Sequence, residues 1–277
     1  SYTWSVAGSL PGGLAFDADG QISGNIAAGT AGFYVLTVEV TDGLQTATIG
    51  LSLRVWAQLQ ITTTSLPDTY DGQTGYSATL AATGGAGTYT WSIVSGSLPP
   101  NLNFDTSGLI SGDIGFDASS NSPYNFTVEV TDGQQTVQAN LSIAVHAPLQ
   151  ITTTSLPNGY EGQTGYSVQL QATGGTGSYT WSVTGALPSN LNLVGDTIGG
   201  DIASGTAGFY PITVEVTDGI QTAAVNPTLT VHAQLQITTV GLPDAYDGQT
   251  GYSAQLTATG GAGTYTWSIV SGGPPPN

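Results

Sequence analysis

Apolar and polar residues alternate along this chain in short runs with a period of two. Tyr124, Phe126, Val128 and Val130 are interleaved with Asn125, Thr127, Glu129 and Thr131, and Val137, Ala139, Leu141, Ile143 and Val145 recur at every second position. Such a period puts one side of a strand on a core and the other in water. Tyr76, Ala78, Leu80 and Ala82 predict another half-buried strand, Tyr89, Trp91 and Ile93 share one face of a third, and Leu59–Thr63 reads as the strand that precedes them. Leu102-Asn103-Phe104 and Leu109-Ile110-Ser111 flank the turn Asp105-Thr106-Ser107-Gly108, which predicts a short hairpin. Leu66-Pro67-Asp68, Asp71-Gly72, Gly84-Gly85-Ala86-Gly87 and Asp132-Gly133 supply the remaining turns. No stretch has a helical period. About seven strands in about 90 residues, apolar on one face and rich in Thr on the other, predict an all-β antiparallel sandwich whose two sheets share one core.

The pattern then repeats. Ser1-Tyr2-Thr3-Trp4-Ser5 returns as Thr88–Ser92, Ser178–Ser182 and Thr264–Ser268, and the tryptophans Trp4, Trp91, Trp181 and Trp267 are 87, 90 and 86 residues apart. A solenoid unit has roughly 20–50 residues, so this period is that of a small independent domain. Leu59-Gln60-Ile61-Thr62, Leu149-Gln150-Ile151-Thr152 and Leu235-Gln236-Ile237-Thr238 mark the unit starts. The expected organisation is two whole domains, 59–148 and 149–234. The C-terminal part of a domain (1–58) precedes them and the N-terminal part of another (235–277) follows. Residues 59–96 and 235–272 differ at only five of 38 positions. This near-identity suggests a window on a longer continuous array, with strand exchange between subunits as the alternative. The junctions Val55-Trp56-Ala57-Gln58, His146-Ala147-Pro148 and Val231-His232-Ala233-Gln234 are short and carry no Gly/Ser-rich linker, which predicts a semi-rigid rod.

Charge narrows the partners. One cation, Arg54, stands against eighteen carboxylates, for a net charge of −17, yet only 7% of residues are charged. A surface with no basic patch repels nucleic acid and anionic lipid. No apolar run approaches the roughly 20 residues of a membrane helix. The absence of Cys rules out disulfides and thiolate metal sites, and the absence of Lys rules out Lys–Asn cross-links. Packing and hydrogen bonds are left to hold each domain together.

Three segments carry a family likeness. Gly87-Thr88-Tyr89-Thr90-Trp91-Ser92, Ser97-Leu98-Pro99-Pro100-Asn101-Leu102 and Ser107-Gly108-Leu109-Ile110-Ser111-Gly112 resemble the bacterial "putative Ig" repeats, cadherin-like sandwich domains of large secreted and surface proteins. The resemblance recurs in every unit. It departs at Gly112-Asp113-Ile114, Gly24-Asn25-Ile26 and Gly200-Asp201-Ile202, where the family usually has Gly-Thr-Pro. It implies an adhesion, stalk or matrix role and no shared catalytic residues.

Candidate chemistry is sparse. The histidines are His146 and His232, in one junction slot that Trp56 fills in the first unit. A slot that accepts Trp or His suits packing between domains better than a Ser-His-Asp triad, and Pro148 belongs to the same junction. Asp42, Asp132 and Asp218 end strands in the manner of a cadherin calcium aspartate. The linkers lack the further acids such a site needs, so turn capping is the preferred reading and no cofactor is expected. Asp17-Ala18-Asp19-Gly20 resembles the start of a calcium loop but lacks the rest of it. Tyr70, Tyr160 and Tyr246 sit in matching loops, where contact with another copy or with a sugar competes with covering the domain's own core. Asn125-Phe126-Thr127 and Asn140-Leu141-Ser142 fit the N-glycan acceptor pattern, with both Asn pointing outward. The Trp of the third strand is read as a core plug.

The leading expectation is a non-enzymatic, extracellular or cell-surface structural protein: a fibre, stalk or adhesin shaft of tandem Ig-like beads that meets other copies of itself. The alternative is a set of carbohydrate- or ligand-binding accessory repeats of a secreted enzyme or adhesin.

Overall fold

The structure is a computed structural model, and residues 1–272 are described. The chain forms two compact units, one spanning Ser1–Val145 and the other running from His146 onward. Among the described residues the regular structure is all β, apart from a 3₁₀ turn at Ala118–Asn121.

In the first unit, residues 59–145 build one complete sandwich. Strands Thr90–Gly96, Tyr124–Thr131 and Thr136–Ile143 form an antiparallel sheet in that order. Leu102–Phe104, Leu109–Gly112 and Tyr76–Thr79 form the facing sheet, with Leu109–Gly112 in the middle. The alternation of the sequence is realised residue by residue: Phe126, Val128 and Val130 are buried, while Asn125 and Asn140 are exposed. Trp91, Val128, Val130 and Ile143 of one sheet meet Tyr76 and Ile110 of the other in a shared core, closed at one end by Leu59 and Leu80. Trp91 is therefore the core plug that its strand position suggests.

Two details differ from the expected strands. The apolar alternation from Tyr76 to Ala82 is two strands, Tyr76–Thr79 and Ala82–Thr83. The break falls at Leu80: its amide still donates to the Gly108 carbonyl at 2.9 Å, one step beyond the Thr79–Leu109 pair, and Ala82–Thr83 then pairs with Gln60–Ile61 instead. The Tyr70 loop contains a two-residue strand, Thr69–Tyr70, and the Thr69 amide donates to Ala144 at 2.9 Å.

The second unit repeats the plan. Thr180–Thr184, Thr213–Thr217 and Thr222–Val225 form one sheet, and Leu191–Val194, Thr197–Gly200 and Tyr166–Gln169 the other. Leu149, Leu170, Ile198, Val214 and Val216 lie in its core. Pro211 and Pro227 interrupt its long strands, as expected where a ladder amide is missing; the Ile212 amide donates to the Pro227 carbonyl at 3.1 Å instead. Gly159–Tyr160 runs parallel to Thr228–His232.

Each unit also carries a partial sandwich. In residues 1–55, Thr3–Ala7, Gly32–Thr41 and Thr46–Val55 form a sheet, and Leu14–Phe16 pairs with Ile22–Gly24. In residues 235–272 the described ladder is Gln236–Ile237 with Ala258–Thr259.

Candidate functional site

The site that recurs is the junction, and it is built from a turn and a loop of the bead that follows it. In the Asp132-Gly133-Gln134-Gln135 turn, the Asp132 carboxylate accepts the amides of Gln134 at 2.8 Å and Gln135 at 2.6 Å on one oxygen. Its other oxygen accepts the Ala86 amide at 2.7 Å, which ties the turn to the Gly-rich loop. The Gln135 side chain then brackets the linker. Its Oε1 accepts the Leu59 amide at 3.0 Å, and its Nε2 donates to the Ala57 carbonyl at 3.2 Å. The Gly85 amide donates to the same carbonyl at 2.8 Å.

The second unit reproduces every part. Asp218 accepts the amides of Ile220, Gln221 and Thr176 at 2.9, 2.6 and 2.9 Å. Gln221 takes the Leu149 amide at 3.0 Å and donates to the Ala147 carbonyl at 3.1 Å, and the Gly175 amide donates to Ala147 at 2.9 Å. At the next junction Gly261 donates to the Ala233 carbonyl at 2.8 Å. Glycine is required in these loops by contact as well as by conformation. A Cβ at Gly84, Gly174 or Gly260 would lie 2.0 Å from the carbonyl oxygen of Gln58, Pro148 or Gln234, and all three have positive φ.

These bonds explain the ionisation of the turn aspartates. The amides of Gln135, Gln134 and Ala86 hold the Asp132 carboxyl below its ordinary range. The amides of Gln45 and Leu44 do the same for Asp42. At Asp218 partial burial opposes ionisation, and the amides of Gln221, Ile220 and Thr176 outweigh it. Both carboxylate oxygens of Asp132 and of Asp218, and one oxygen of Asp42, accept backbone N–H groups. Among the described residues no group of three or more His, Asp or Glu is placed to hold a metal ion. Asp17 likewise accepts the amides of Asp19 and Gln21, as an ordinary turn aspartate does.

The other sequence candidates fall around this junction. Trp56 is largely exposed and carries the Arg54 guanidinium over its ring, 3.8 Å from the centroid. His146 ends the last strand of its bead and is half-buried, and Pro148 is exposed. His232 lies 3.2 Å from the Asn158 amide through Nε2, and its carbonyl accepts the Glu161 amide at 2.9 Å. Tyr70 is half-buried beside the end of its bead, whereas Tyr160 and Tyr246 are exposed.

Sequence reasoning missed Gln135 and Gln221. The spacing Asp-Gly-x-Gln at 42–45, 132–135 and 218–221 was the available signal. A second feature was not foreseen either. Trp91 is covered by the four-residue turn Asp105–Gly108, so closely that a Cβ on Gly108 would come within 2.9 Å of its ring. In the next bead the hairpin turns at Gly195-Asp196, two residues shorter, and Trp181 is left partly open in a cleft with Tyr179, Leu193 and Asp196.

Comparison with protein families agrees with this architecture. A family model described as "Putative Ig domain" matches residues 1–55, 59–146 and 147–232. No curated protein sequence matches the chain. Among solved structures, extracellular domains 3–5 of Drosophila OTK are similar at 16% identity over 83% of this chain and 84% of that one, with a TM-score of 0.43. Sidekick-1 immunoglobulin domains 1–4 give 13% identity over 83% and 67%, with a TM-score of 0.41. The protocadherin GammaB4 extracellular domain gives 17% over 83% and 45%, with a TM-score of 0.33. The family model spans both complete sandwiches and the partial one before them, so this chain belongs to the "Putative Ig domain" family, in tandem copies.

Proposed function

We propose that the chain is a non-catalytic segment of an extracellular fibre, stalk or adhesin shaft built from tandem Ig-like beads. The observation that carries this reading is the duplicated linker bracket. Gln135 and Gln221 each hold the carbonyl and the amide on either side of one linker residue, and Asp132 and Asp218 each lock the turn that presents the glutamine. A linker that only tethered two domains would not need its backbone groups paired at each junction. The surface is acidic and nearly free of cations, which keeps it from nucleic acid and anionic lipid. Among the described residues no helix is long and apolar enough to cross a membrane. Immunogold electron microscopy of the native source, with an antibody raised against residues 59–148, tests the reading. Gold along extracellular filaments or surface stalks is expected. Gold confined to the cell interior refutes it.

A second reading has one observation in its favour. The Trp181 cleft sets two aromatic rings beside Asp196, a lining suited to a sugar ring. Quenching of Trp fluorescence by oligosaccharides, lost in Trp181→Ala and retained in Trp91→Phe, would make the chain a carbohydrate-binding module.

A further inference from the structure

The outer face of one sheet in the bead at 59–145 carries polar groups that neither the core nor the junction uses. Strands Tyr124–Thr131 and Thr136–Ile143 run antiparallel, with Asn125 opposite Ser142 and Thr127 opposite Asn140. The triplets Asn125-Phe126-Thr127 and Asn140-Leu141-Ser142 therefore lie side by side in opposite directions. Their middle residues Phe126 and Leu141 are buried, while Asn125, Asn140 and Ser142 are exposed. A chain of hydroxyls then sets the two asparagines apart. Ser95 Oγ donates to Thr127 Oγ1 at 2.8 Å, and Thr127 Oγ1 donates its single proton to Asn140 Oδ1 at 2.8 Å. The carbonyl end of Asn140 is thus held against the sheet, and its Nδ2 makes no hydrogen bond among the described residues. Asn125 is held by the other end, its Nδ2 donating to the Pro123 carbonyl at 3.3 Å. Beside both lies an open groove of about 470 Å³, with Thr64, Asp68, Ser95 and Ser142 in its lining. That volume falls in the range of small-ligand sites, about 300–1,000 Å³.

We propose that Asn140 is an N-linked glycosylation site whose first sugar lies against this polar groove. Asn-x-Ser/Thr with no proline in the middle is the acceptor pattern, and three asparagines of the chain stand in such a place. Asn140 presents the nitrogen that takes the sugar on the water side of its sheet. Asn125 has its nitrogen engaged by Pro123. Asn226 is the counterpart of Asn140 in the next bead: it is exposed, and Thr213 Oγ1 donates to its Oδ1 at 2.7 Å. Pro227 in the middle of its triplet excludes it as an acceptor. In residues 1–55 the place belongs to Gly50, opposite Thr37. The same cross-strand bond thus serves two beads, and one of them carries an acceptor. The reaction takes a sugar donor activated by a phosphate or diphosphate on its anomeric carbon. Asn140 Nδ2 bonds to that carbon, the bond from the carbon to the leaving phosphate oxygen breaks with its electron pair, and Nδ2 gives up one proton. Oδ1 takes no part in the new linkage, so the bond from Thr127 survives. A neutral glycan suits this chain, in which only 7% of residues are charged: it adds hydration to a sheet face without adding to the net charge of −17.

Peptide mapping of the chain purified from its native source tests the assignment. A glutamyl endopeptidase cuts the denatured chain after Glu39, Glu129, Glu161 and Glu215, which puts Asn125 in 40–129, Asn140 in 130–161 and Asn226 in 216–277. Mass spectrometry should find 130–161 heavier than its sequence by whole sugar residues, and electron-transfer fragmentation should locate them on Asn140. The peptides 40–129 and 216–277 should show no sugar on Asn125 or Asn226. Asn140→Gln and Ser142→Ala, each expressed in the same source, should abolish the increment. Both positions are exposed, so both variants keep the sandwich. Ser142→Ala also keeps Asn140 and its bond from Thr127, so loss of the sugar in that variant distinguishes an acceptor triplet from an asparagine that only braces two strands. Peptide 130–161 found at its sequence mass alone, sugar on Asn125 or on Asn226, or an increment that survives Ser142→Ala would each overturn the proposal. The gold label reads location independently, so an unmodified Asn140 would leave the extracellular reading standing.

Discussion

One residue type occupies the same place in three hairpins with different surroundings, which allows a controlled test of bead autonomy. Ile110 and Ile198 are fully buried at the centre of their sheets, while Ile22 is 37% exposed. Replacing Ile by Ala removes about three carbon groups, and at about 0.8 kcal/mol for each buried one the transfer loss is about 2.4 kcal/mol. The cavity left in a packed interior adds about 1 kcal/mol, for a total of about 3–4 kcal/mol at Ile110 or Ile198. In a domain of this size that lowers the melting temperature by roughly 12–30 °C. At Ile22 the side chain is already partly wet and leaves no closed cavity, so about 1 kcal/mol is expected. Differential scanning calorimetry of the full chain, at a concentration too low for association, separates the outcomes. Ile110→Ala should move only the transition of its own bead, Ile198→Ala only the other, and Ile22→Ala neither. Equal displacement of both transitions by Ile110→Ala, or a shift no larger than that of Ile22→Ala, would refute the assignment of one autonomous core to each complete bead.

Four further outcomes follow from the same geometry. Arg54 is the only tryptic site; it lies in a ladder opposite Phe33 with its guanidinium on Trp56, so the native chain should resist trypsin on a time-course gel while the denatured chain is cut once, into 1–54 and 55–277. Because backbone amides occupy both carboxylate oxygens of Asp132 and Asp218, EDTA should leave the melting temperatures unchanged, and millimolar calcium should do no more than sodium at equal ionic strength. Their carboxyls are held below the ordinary range, so their stabilisation is present above the usual carboxylate pKa and lost as pH falls through the folded value; acid melts of Asp132→Asn should lose part of that dependence in one bead only. Burial pushes the Tyr76 hydroxyl up to about 12, with Asp68 adding to the effect, and burial alone does the same for Tyr166. The unfolded chain gives up these protons near pH 10 and the folded chain keeps them, so stability falls as pH rises above 10; Tyr76→Phe should blunt that loss in a melt series from pH 9 to 12.

The sandwich was legible because it rests on a local signal. Strand Tyr124–Thr131 buries every second residue, and a period of two can be read from the residues themselves. The break at Leu80 could not be read this way, because it marks a change of partner strand, from Leu109–Gly112 to Gln60–Ile61. The parallel pairing of Gly159–Tyr160 involves two residues, too few to show any period. Trp91 and Trp181 stand in the same local sequence, yet one is sealed and the other open. Their difference lies in the length of a hairpin on the opposite sheet. The bracket was hidden for a similar reason. Gln135 reaches linker residues 76 and 78 positions earlier in the chain, and no pattern around the glutamine announces that contact.

The chemistry of the bracket also explains which junction positions vary among the copies and which do not. Gln135 and Gln221 bind backbone groups of the linker, the carbonyls of Ala57 and Ala147 and the amides of Leu59 and Leu149. Those groups are the same whatever side chain the linker carries. Trp56 can therefore stand where the other junctions have His146 and His232, and Gln58 and Gln234 can stand where the middle junction has Pro148, since the bracket needs no amide from that position. The glycines have no such latitude. The linker carbonyl occupies the space where a Cβ would lie at Gly84, Gly174 and Gly260, and the carboxylates of Asp132 and Asp218 occupy it at Gly85 and Gly175. Constancy at the junction thus falls on the residues that grip and on Ala57, Ala147, Leu59 and Leu149, which offer the gripped groups, and variation on the positions beside and between them.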